Sequence, residues 1–484
     1  MNWKTIIRNV GYALLVSALF MFLSLLIAFF NGEQTTYAPL SISFLLTFIV
    51  GIFPFIFARS SSAITMREGY IIIVLSWLLS FIFGKLPYLL WGGPFTVVNA
   101  WFESVSGFTT TGASILDDIE ALPRALLFWR SATHFIGGLG VVVFLLLIIP
   151  SSSPMRLRLT SMELSSLSRD SYHTRINQTA TIFAGVYLVL TLSSFIAYML
   201  AGMDAFDAIN HAFSVCATGG FSTKNLSIAG FHSLPIKLVT MLYMYLASLH
   251  FGMLYMVVIT RSLKPFRNDI FKYYTGLLIL GSVLVAVVLK SYGVLAGWRE
   301  AFVDGAFTVL SYASTTGFGV VDNSIWPYFP CMLIMVLGIN CGMAGSTTGG
   351  LKSDRVLMIF KSVGLHIKRT LYPSSVNEVR VNGKTISDRE LEPHILYVAI
   401  FFIIFLLSFL LCLLFGVDNK NALMGTLSCL DNVGPAVGSL GTFGNYGGEP
   451  TAAKIMYSID MFMGRVEIYP VLAVISFIFS RRKR

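Results

Sequence analysis

Residues 106–113 of this chain, SGFTTTGA, consist of small and hydroxylated residues around one phenylalanine and include a glycine directly after three threonines. The pattern returns at residues 214–221 (SVCATGGF), 312–319 (YASTTGFG) and 429–435 (CLDNVGP). The glycines that we align, Gly112, Gly219, Gly317 and Gly434, are separated by 107, 98 and 117 residues. Self-similarity at a spacing of about one hundred residues indicates four copies of one structural unit.

Each of the four stretches lies between two long apolar segments. The segment before each glycine has room for about 12 helical residues, or roughly 18 Å, which is about half the thickness of a bilayer. The long segments that flank the loops lie at about 69–91 and 123–150, 180–202 and 233–260, 272–292 and 325–360, and 393–416 and 452–479. Two further apolar segments, at about 10–30 and 38–58, precede the first unit.

The composition places these segments in a membrane. The 484-residue chain is 55% hydrophobic and 12% charged, with a mean hydropathy of +0.75, which is far more apolar than a soluble domain. Apolar runs of this length, without the alternation of barrel strands, predict helices. We therefore predict an all-α integral membrane protein with ten transmembrane helices, in which two extra N-terminal helices precede four helix–pore-loop–helix units around one central pore.

The predicted domain boundaries follow these segments. The two-helix extension covers residues 1–62, and the four pore repeats cover 63–155, 175–265, 268–362 and 390–484. The polar stretch at 361–392 is interpreted either as a cytoplasmic docking surface or as a solvated linker.

The basic residues indicate membrane topology rather than a nucleic-acid partner. The net charge is +10, but 24 of the 34 lysines and arginines lie on the side that holds both predicted termini. They are found at the two ends of the chain and in predicted loops at 59–67, 156–175, 261–272 and 352–389. Cytoplasmic loops are enriched in these residues, so we expect both termini in the cytoplasm and the short helices to enter from outside. No small-residue cleavage signature follows the first apolar segment, and we expect it to be retained as a helix.

The residues of the four loops indicate what the protein can bind. Irregular backbone at membrane depth is tolerated where it is buried in protein or lines a water-filled path, and carbonyl oxygens before a glycine can replace the hydration shell of a cation. Four such loops favour a pore for monovalent cations, although each glycine could instead cap its helix. A coupled permease for another small solute is the second candidate, but four units that all enter from outside argue against two inverted halves.

Catalytic and metal-binding signatures are lacking in the sequence. There is no HExxH motif, no pair of intramembrane aspartates and no interpretable Ser/His set, so we predict neither enzyme activity nor a bound cofactor. The five cysteines are scattered without CxxC spacing, so neither a disulfide nor a metal site is expected.

With these loops and flanking helices, the chain resembles the Trk/Ktr/HKT superfamily of potassium transporters. The two leading helices make it most similar to the TrkH branch. The resemblance covers nearly the whole chain and implies potassium uptake across a bacterial inner membrane, with potassium as the transported ion. It also implies a homodimer in the lipid bilayer and a cytosolic, TrkA-like nucleotide-binding ring. Whether flow is channel-like or a symport with sodium or protons stays open.

The resemblance also assigns a selectivity filter to the four loops. The expected cation-binding residues are Thr110, Thr111 and Gly112, Ala217, Thr218 and Gly219, Thr315, Thr316 and Gly317, and Asn432, Val433 and Gly434. The longer Thr-Val-Gly-Tyr-Gly filter of tetrameric potassium channels is absent, so weak selectivity among potassium, sodium and ammonium is the alternative. In the fourth loop, Pro435 predicts a less regular backbone. Asp431 either adds negative electrostatic potential at the entrance or accepts hydrogen bonds from local backbone donors.

Residues 338–350, GINCGMAGSTTGG, are too rich in glycine, serine and threonine for an unbroken helix. We predict that this segment unwinds at mid-membrane, the alternative being close helix packing through small residues. In the family it resembles, this segment forms an intramembrane gating loop. The candidate gate residues are Gly342, Gly345, Ser346, Thr347, Gly349, Gly350 and Arg465.

Arg465 lies near the middle of the last long segment, where an uncompensated charge is costly. It is expected either to face a cavity under the filter or to pair with Glu467 or Asp460. Arg130 lies nearer the end of its segment, and we expect a structural partner for it.

Three histidines also lie in apolar stretches, at His134, His211 and His250. We expect them to be packing residues, and a proton-coupling role is the alternative.

Overall fold

The computed structural model describes residues 2–57, 65–148, 176–295, 297–372 and 378–481. Within these ranges the chain is mostly helical, with one two-stranded sheet. The predicted basic loops near residue 59 and at 156–175, and the basic residues 482–484, lie outside them.

The first half of the described chain contains ten α-helices. They are α1 (Trp3–Asn31), α2 (Gln34–Phe57), α3 (Met66–Gly84), α4 (Leu86–Trp91), α5 (Val97–Phe108), α6 (Arg124–Ile148), α7 (Ile176–Leu200), α8 (Ala205–Cys216), α9 (Leu234–Ser248) and α10 (Phe251–Thr260). Two short 3-10 helices lie at Ser227–Phe231 and Lys264–Arg267.

The second half contains eight more α-helices and the sheet. They are α11 (Asp269–Ser291), α12 (Trp298–Ala313), α13 (Tyr328–Asn340), α14 (Ser353–Leu371), α15 (Asp388–Leu414), α16 (Asn419–Asp431), α17 (Thr451–Val466) and α18 (Ile468–Arg481), with strands β1 (Val379–Val381) and β2 (Lys384–Ile386). A 3-10 helix lies at Gly438–Leu440.

Six helical segments are long and apolar enough to cross a membrane, so the chain is a multi-pass membrane protein. They are Trp3–Asn31, Gln34–Phe57, Arg67–Trp91, Thr181–Leu200, Asp269–Ser291 and Glu390–Leu414. A seventh is counted if α9 and α10, which meet at an angle of 101°, form one span. Leucines 406, 407 and 410 on α15 are exposed, as expected for a helix that faces lipid.

Four short helices, α5, α8, α12 and α16, lie at the centre of the molecule. They contain 12, 12, 16 and 13 residues, which corresponds to about 18–24 Å and is too short to span a bilayer. Three of them begin at a side-chain cap, supplied by Thr96, Asp204 and Asp418, which satisfies a backbone N–H that has no helical partner. Their last turns are fully buried.

The helix after each short helix is interrupted, which the sequence predicted only for the third. Gly140 within α6, Cys341 after α13 and Glu467 after α17 share a positive φ with an extended ψ, at 59° and 168°, 43° and −167°, and 64° and 150°. The second interruption is the sharp bend between α9 and α10 at Leu249 and His250. The segments predicted as continuous at 233–260 and 452–479 are therefore each two helices.

Residues 341–352 are non-helical between α13 and α14, and we call them the gate segment. The predicted unwinding of 338–350 is thus observed from Cys341 onward, and the alternative of close packing within an unbroken helix is wrong. Glycines with positive φ at Gly345 and Gly350 make the turns of the segment possible.

The polar stretch after the gate segment is folded where the structure describes it, so the solvated-linker interpretation is wrong there. Helix α14 continues to Leu371, and β1 and β2 form a hairpin through Asn382 and Gly383. Lys361 on α14 forms an ion pair with Asp269 at 3.0 Å and donates to the Arg380 carbonyl oxygen. The hairpin is therefore fixed to the beginning of α11 and to the middle of α14.

Candidate functional site

The four predicted loops have one backbone conformation. Thr110, Thr218, Thr315 and Asn432 all have φ between 51° and 59°. Two residues further along, Gly112, Gly220, Gly317 and Gly434 have φ between 80° and 94°. Left-handed backbone is uncommon for threonine, so its recurrence at the same place in four loops identifies one repeated turn. The fourth loop repeats the turn despite Pro435, although the φ of Gly434, 94°, is the largest of the four, and a less regular carbonyl geometry there stays a prediction.

Each turn is anchored to the short helix before it by the same hydrogen bond. The backbone N–H groups of Thr111, Gly219, Thr316 and Val433 donate to the carbonyl oxygens of Ser106, Ser214, Ser311 and Ser428, at 2.9 Å in every case. These bonds also define which residues correspond between the loops.

That correspondence corrects the predicted alignment of the second loop by one residue. Gly219 matches Thr111, and the counterpart of Gly112 is Gly220, because Gly220 has the positive φ. The aligned second stretch is therefore 218–220 rather than Ala217 to Gly219. Two adjacent glycines in the sequence allowed either register, and only the backbone conformation distinguishes them.

The four turns contact one another in order and close a ring. A Cβ atom on Gly112 would lie less than 3.0 Å from the carbonyl oxygen of Gly219 in the second loop. The same holds for Gly220 against Thr316, for Gly317 against Val433, and for Gly434 against Thr111. The fourth loop therefore returns to the first, and each glycine permits an approach that any side chain would prevent.

The ring is not symmetric in how its oxygens are held. Hydroxyl pairs Thr109–Thr111 and Ser314–Thr316, at 2.8 and 2.7 Å, brace the first and third loops. In the fourth loop, the Tyr446 hydroxyl donates to the Gly434 carbonyl oxygen at 2.9 Å. Among the described hydrogen bonds, none of the other three ring glycines has a carbonyl that accepts such a bond.

Asp431 lies directly before the fourth turn, at the position of Thr109 and Ser314. It is 1% exposed, and neither carboxyl oxygen has a hydrogen-bond partner among the described residues. The interpretation that local backbone donors satisfy this carboxyl is therefore wrong. Its side chain faces Gly338 of α13, at the back of the turn.

Arg130 has the structural partner that the sequence led us to expect. Its Nε donates to Glu103 Oε1 at 2.8 Å, and both side chains are buried. Glu103 also accepts from the backbone N–H of Ile115, and the Arg130 guanidinium lies 4.0 Å from the centre of the Phe221 ring. The pair therefore joins α5 and α6 to the chain that leaves the first and second turns.

The histidines are held by local contacts. His134 Nδ1 lies 3.1 Å from the Ser214 hydroxyl, and its ring stacks on Phe221. His211 lies 2.8 Å from both the Asp207 carbonyl oxygen and the Ser222 hydroxyl. His250 accepts from the backbone N–H of Met253 at the beginning of α10. These contacts agree with packing roles, and proton coupling stays a prediction.

A cavity of about 80 Å³ lies on the side of the ring where the chain leaves the turns, and we call it the mouth. Asp117 lines it and accepts from Asn445 at 2.9 Å. Beside it, the side-chain amide of Asn225 donates to Asp118 at 2.8 Å and lowers the pKa of that carboxyl. Asp118 therefore contributes negative charge near the mouth at neutral pH.

A second cavity, of about 100 Å³, lies on the opposite side of the ring. It is lined by Gly345 to Gly350 of the gate segment, by Lys352 and by Arg465. The predicted gate residues are thus brought together, except that Gly342 packs separately against the Ser248 carbonyl oxygen.

Two cations hold the gate segment. Arg465 donates to the carbonyl oxygen of Thr347, and to that of Gly137 on α6 at 3.0 Å. Lys352, which sequence reasoning assigned to a cytoplasmic loop, is buried and donates to the Thr348 carbonyl oxygen. Two backbone oxygens of the segment therefore accept hydrogen bonds from positively charged side chains.

The expected alternative partners of Arg465 are engaged elsewhere. Glu467 accepts two bonds from Arg355 Nη2, at 2.8 and 2.9 Å, and Asp460 accepts from the Ser408 hydroxyl. Arg355 also lies 4.0 Å from the centre of the Tyr397 ring. This buried pair, which the sequence did not predict, joins the beginning of α14 to the break between α17 and α18.

Comparison with known proteins identifies relatives along nearly the whole chain. A sequence model of the TrkH family, described as "Cation transport protein", matches residues 40–481. The chain is 30% identical over 484 residues to the Trk system potassium uptake protein TrkH of Salmonella typhimurium, covering 99% of this chain and 100% of that protein. It is 32% identical over 426 residues to the protein of that name in Escherichia coli, covering 87% and 88%.

A solved structure is similar as well. The crystal structure of the potassium transporter TrkH from Vibrio parahaemolyticus matches with a TM-score of 0.88 at 27% identity, over 98% of both chains. The fold described above is therefore shared with that transporter.

The buried Arg130–Glu103 pair leads to a prediction about stability. Substituting Glu103 by Ala leaves a buried guanidinium without its carboxylate, and should destabilise the fold by about 3–5 kcal/mol. The exposed pair Lys224–Glu120, at 3.6 Å, provides the control, because Glu120→Ala should cost about 0–1 kcal/mol. Thermal unfolding of the purified variants in detergent measures both. Equal midpoints for the two variants would contradict a supporting role for the buried pair.

Proposed function

The chain belongs to the TrkH family of cation transport proteins, and we propose that it takes up potassium across the bacterial inner membrane through a selectivity filter made by the four turns. The observation that carries the proposal is the closed ring, in which each turn contacts the next. A ring of backbone carbonyl oxygens at membrane depth can replace the water around a monovalent cation.

We propose ten spans for the whole chain, with two leading helices and four helix–loop–helix repeats. The second helix of every repeat is bent or interrupted, so it does not count as one long apolar helix by length alone. Pairing α9 with α10, α13 with α14 and α17 with α18, and adding α6, completes the ten. An even number of spans places both termini on one side, and the basic residues favour the cytoplasm.

The filter is proposed to consist of three layers of carbonyl oxygens. With the corrected register, the layers are Thr110, Thr218, Thr315 and Asn432, then Thr111, Gly219, Thr316 and Val433, and then Gly112, Gly220, Gly317 and Gly434. Negative charge at Asp118 favours cations at the mouth. Ala217 lies one residue before the filter in this register.

The gate segment is proposed to close the path below the filter. Gly349 lies against the carbonyl oxygen of Asp431, so the segment reaches the fourth turn. The positive charges of Lys352 and Arg465 stand beside the path and repel a cation at rest. Opening requires the segment to leave this position, which takes its carbonyl oxygens away from both cations.

Two assemblies are proposed from the family alone. One is a homodimer with one path in each subunit, and the other is a cytosolic, TrkA-like nucleotide-binding ring on the cytoplasmic face. Helix α14 connects the gate segment to that face, so a partner bound there can pull on the segment directly.

Weak selectivity among monovalent cations is the second candidate, and the Tyr446–Gly434 hydrogen bond favours it. A carbonyl oxygen that already accepts a bond is less available to an ion than its three counterparts. The four carbonyl oxygens in the layer at the mouth are therefore not equally available to an ion.

The ring glycines provide the first functional test. Gly317→Ala places a Cβ against the Val433 carbonyl oxygen, and should reduce rubidium uptake into proteoliposomes at least tenfold. Gly416 also has a positive φ, 86°, but nothing lies within 4 Å of its Cβ position. Gly416→Ala therefore imposes the backbone strain without disturbing a neighbouring loop, and uptake near the wild-type rate is expected. Comparable loss in both variants would refute the ring as the ion path.

The gate segment provides the second test. Deleting residues 342–350 should increase rubidium uptake, because the obstruction is removed. Arg465→Ala should increase it as well, while Arg465→Lys retains the charge and should increase it less. The measurement compares initial uptake rates at equal amounts of folded protein, judged by gel filtration. Unchanged rates in both the deletion and the alanine variant would show that the segment is not an obstruction.

Tyr446 provides a test of selectivity. Tyr446→Phe removes a hydrogen bond worth about 1 kcal/mol and frees the fourth carbonyl oxygen. The preference for potassium over sodium should then rise by about two- to tenfold, measured as the ratio of the concentrations that halve rubidium uptake. Tyr457 packs on Tyr446 but donates to Asn421 instead, so Tyr457→Phe is the matched control. An unaltered ratio for Tyr446→Phe would argue that the bond does not limit selectivity.

A further inference from the structure

The filter and the gate segment are bonded to each other directly. The layer of the filter nearest the gate segment contains Thr110, Thr218, Thr315 and Asn432. The Thr218 hydroxyl lies 2.9 Å from the Thr347 carbonyl oxygen and 2.6 Å from that of Ala217, and it shares its one proton between these two acceptors. The Thr315 hydroxyl accepts from the backbone N–H of Gly349 at 3.0 Å. Two of the four side chains in this layer therefore hold the segment.

The second loop holds Thr347 at two points. Besides its carbonyl oxygen, the Thr347 hydroxyl donates to the carbonyl oxygen of Cys216, the last residue of α8, at 3.0 Å. The Thr347 carbonyl oxygen also accepts from Arg465. One residue of the gate segment thus connects the second turn with the last repeat.

The other two side chains of the layer do not hold the segment. The Thr110 hydroxyl is buried and has no hydrogen-bond partner among the described residues. Asn432 donates through Nδ2 to the Thr111 hydroxyl and to the Met461 carbonyl oxygen, at 2.9 and 2.8 Å. The attachment is therefore confined to the second and third loops.

We propose that Thr218 and Thr315 form a latch, through which the filter itself holds the gate segment in the closed position. The proposal rests on the function proposed above, and it adds two positioning residues that act through the segment. Opening breaks both bonds and leaves both hydroxyls facing the ion path.

The latch makes the states of filter and gate depend on each other. Any cation that binds the freed hydroxyl oxygens favours the open position, and an open segment in turn favours that cation, because coupling between two sites is reciprocal. Permeant ions at the inner end of the filter therefore stabilise the open state.

The test replaces each threonine by valine, which has nearly the same shape but no hydroxyl. If each bond contributes about 1 kcal/mol, Thr218→Val and Thr315→Val should each raise basal rubidium uptake about fivefold in proteoliposomes. The double variant should raise it further. Thr308→Val is the matched control, since it removes an equally buried hydroxyl that donates to the Asp304 carbonyl oxygen within α12 at 2.8 Å, and its basal uptake should stay near the wild-type rate.

A second readout separates gating from damage to the filter. The concentration of potassium that halves rubidium uptake should stay within about twofold of wild type in the latch variants, whereas a distorted filter would shift it. Rates are compared for protein that elutes as one species in gel filtration.

Two results would overturn the latch, and they have different meanings. If deletion of residues 342–350 raises uptake but neither threonine variant does, the gate stands and the latch is wrong. If the deletion does not raise uptake, the proposed gate fails and the latch fails with it. An increase with Thr308→Val equal to that with Thr218→Val would also overturn the proposal, because the effect would then not depend on the hydrogen bonds to the gate segment.

Discussion

Backbone polar groups that lie inside a membrane must find partners within the protein, and the four turns satisfy this constraint in one way. Each turn donates one N–H to the serine carbonyl five residues earlier, at the end of its short helix. Its own carbonyl oxygens are left without the helical partners that a continuous helix would supply, and one of them lies against the glycine of the preceding turn. The ring exists because these oxygens share one small volume, and the surrounding helices are arranged to support it.

The same constraint explains the breaks in the second helices. A straight helix would pass the turns without leaving space below them. Gly137 and Gly464 lie against the carbonyl oxygens of Phe108 and Leu430, and in both repeats the break follows three residues later. The third repeat extends this break into the gate segment. Arg465 and Lys352 then donate to carbonyl oxygens of that segment, which gives partners to charges at a depth where charges are rare.

The sequence predicted those features that depend on local composition. Threonine–glycine loops between apolar segments, the unwinding after Gly338 and the partner of Arg130 were all foreseeable. Features that depend on contacts between elements distant in the sequence could not be predicted. The register of Gly219 and Gly220 needed the backbone dihedral angles, and the breaks at His250 and Glu467 carry no glycine. Lys352 looked like a loop residue, and the Arg355–Glu467 pair joins residues more than a hundred positions apart.

The one-sided attachment of the gate segment has a consequence for how such a ring can be built. Four identical subunits around an axis would repeat every contact four times, so a segment that takes hydrogen bonds from the side chains of only two of the four turns could not arise. Joining four unequal copies in one polypeptide removes that restriction. The segment can then move away from the filter while it stays covalently joined to α13 and α14, because the threonine side chains of only two turns hold it in the closed position.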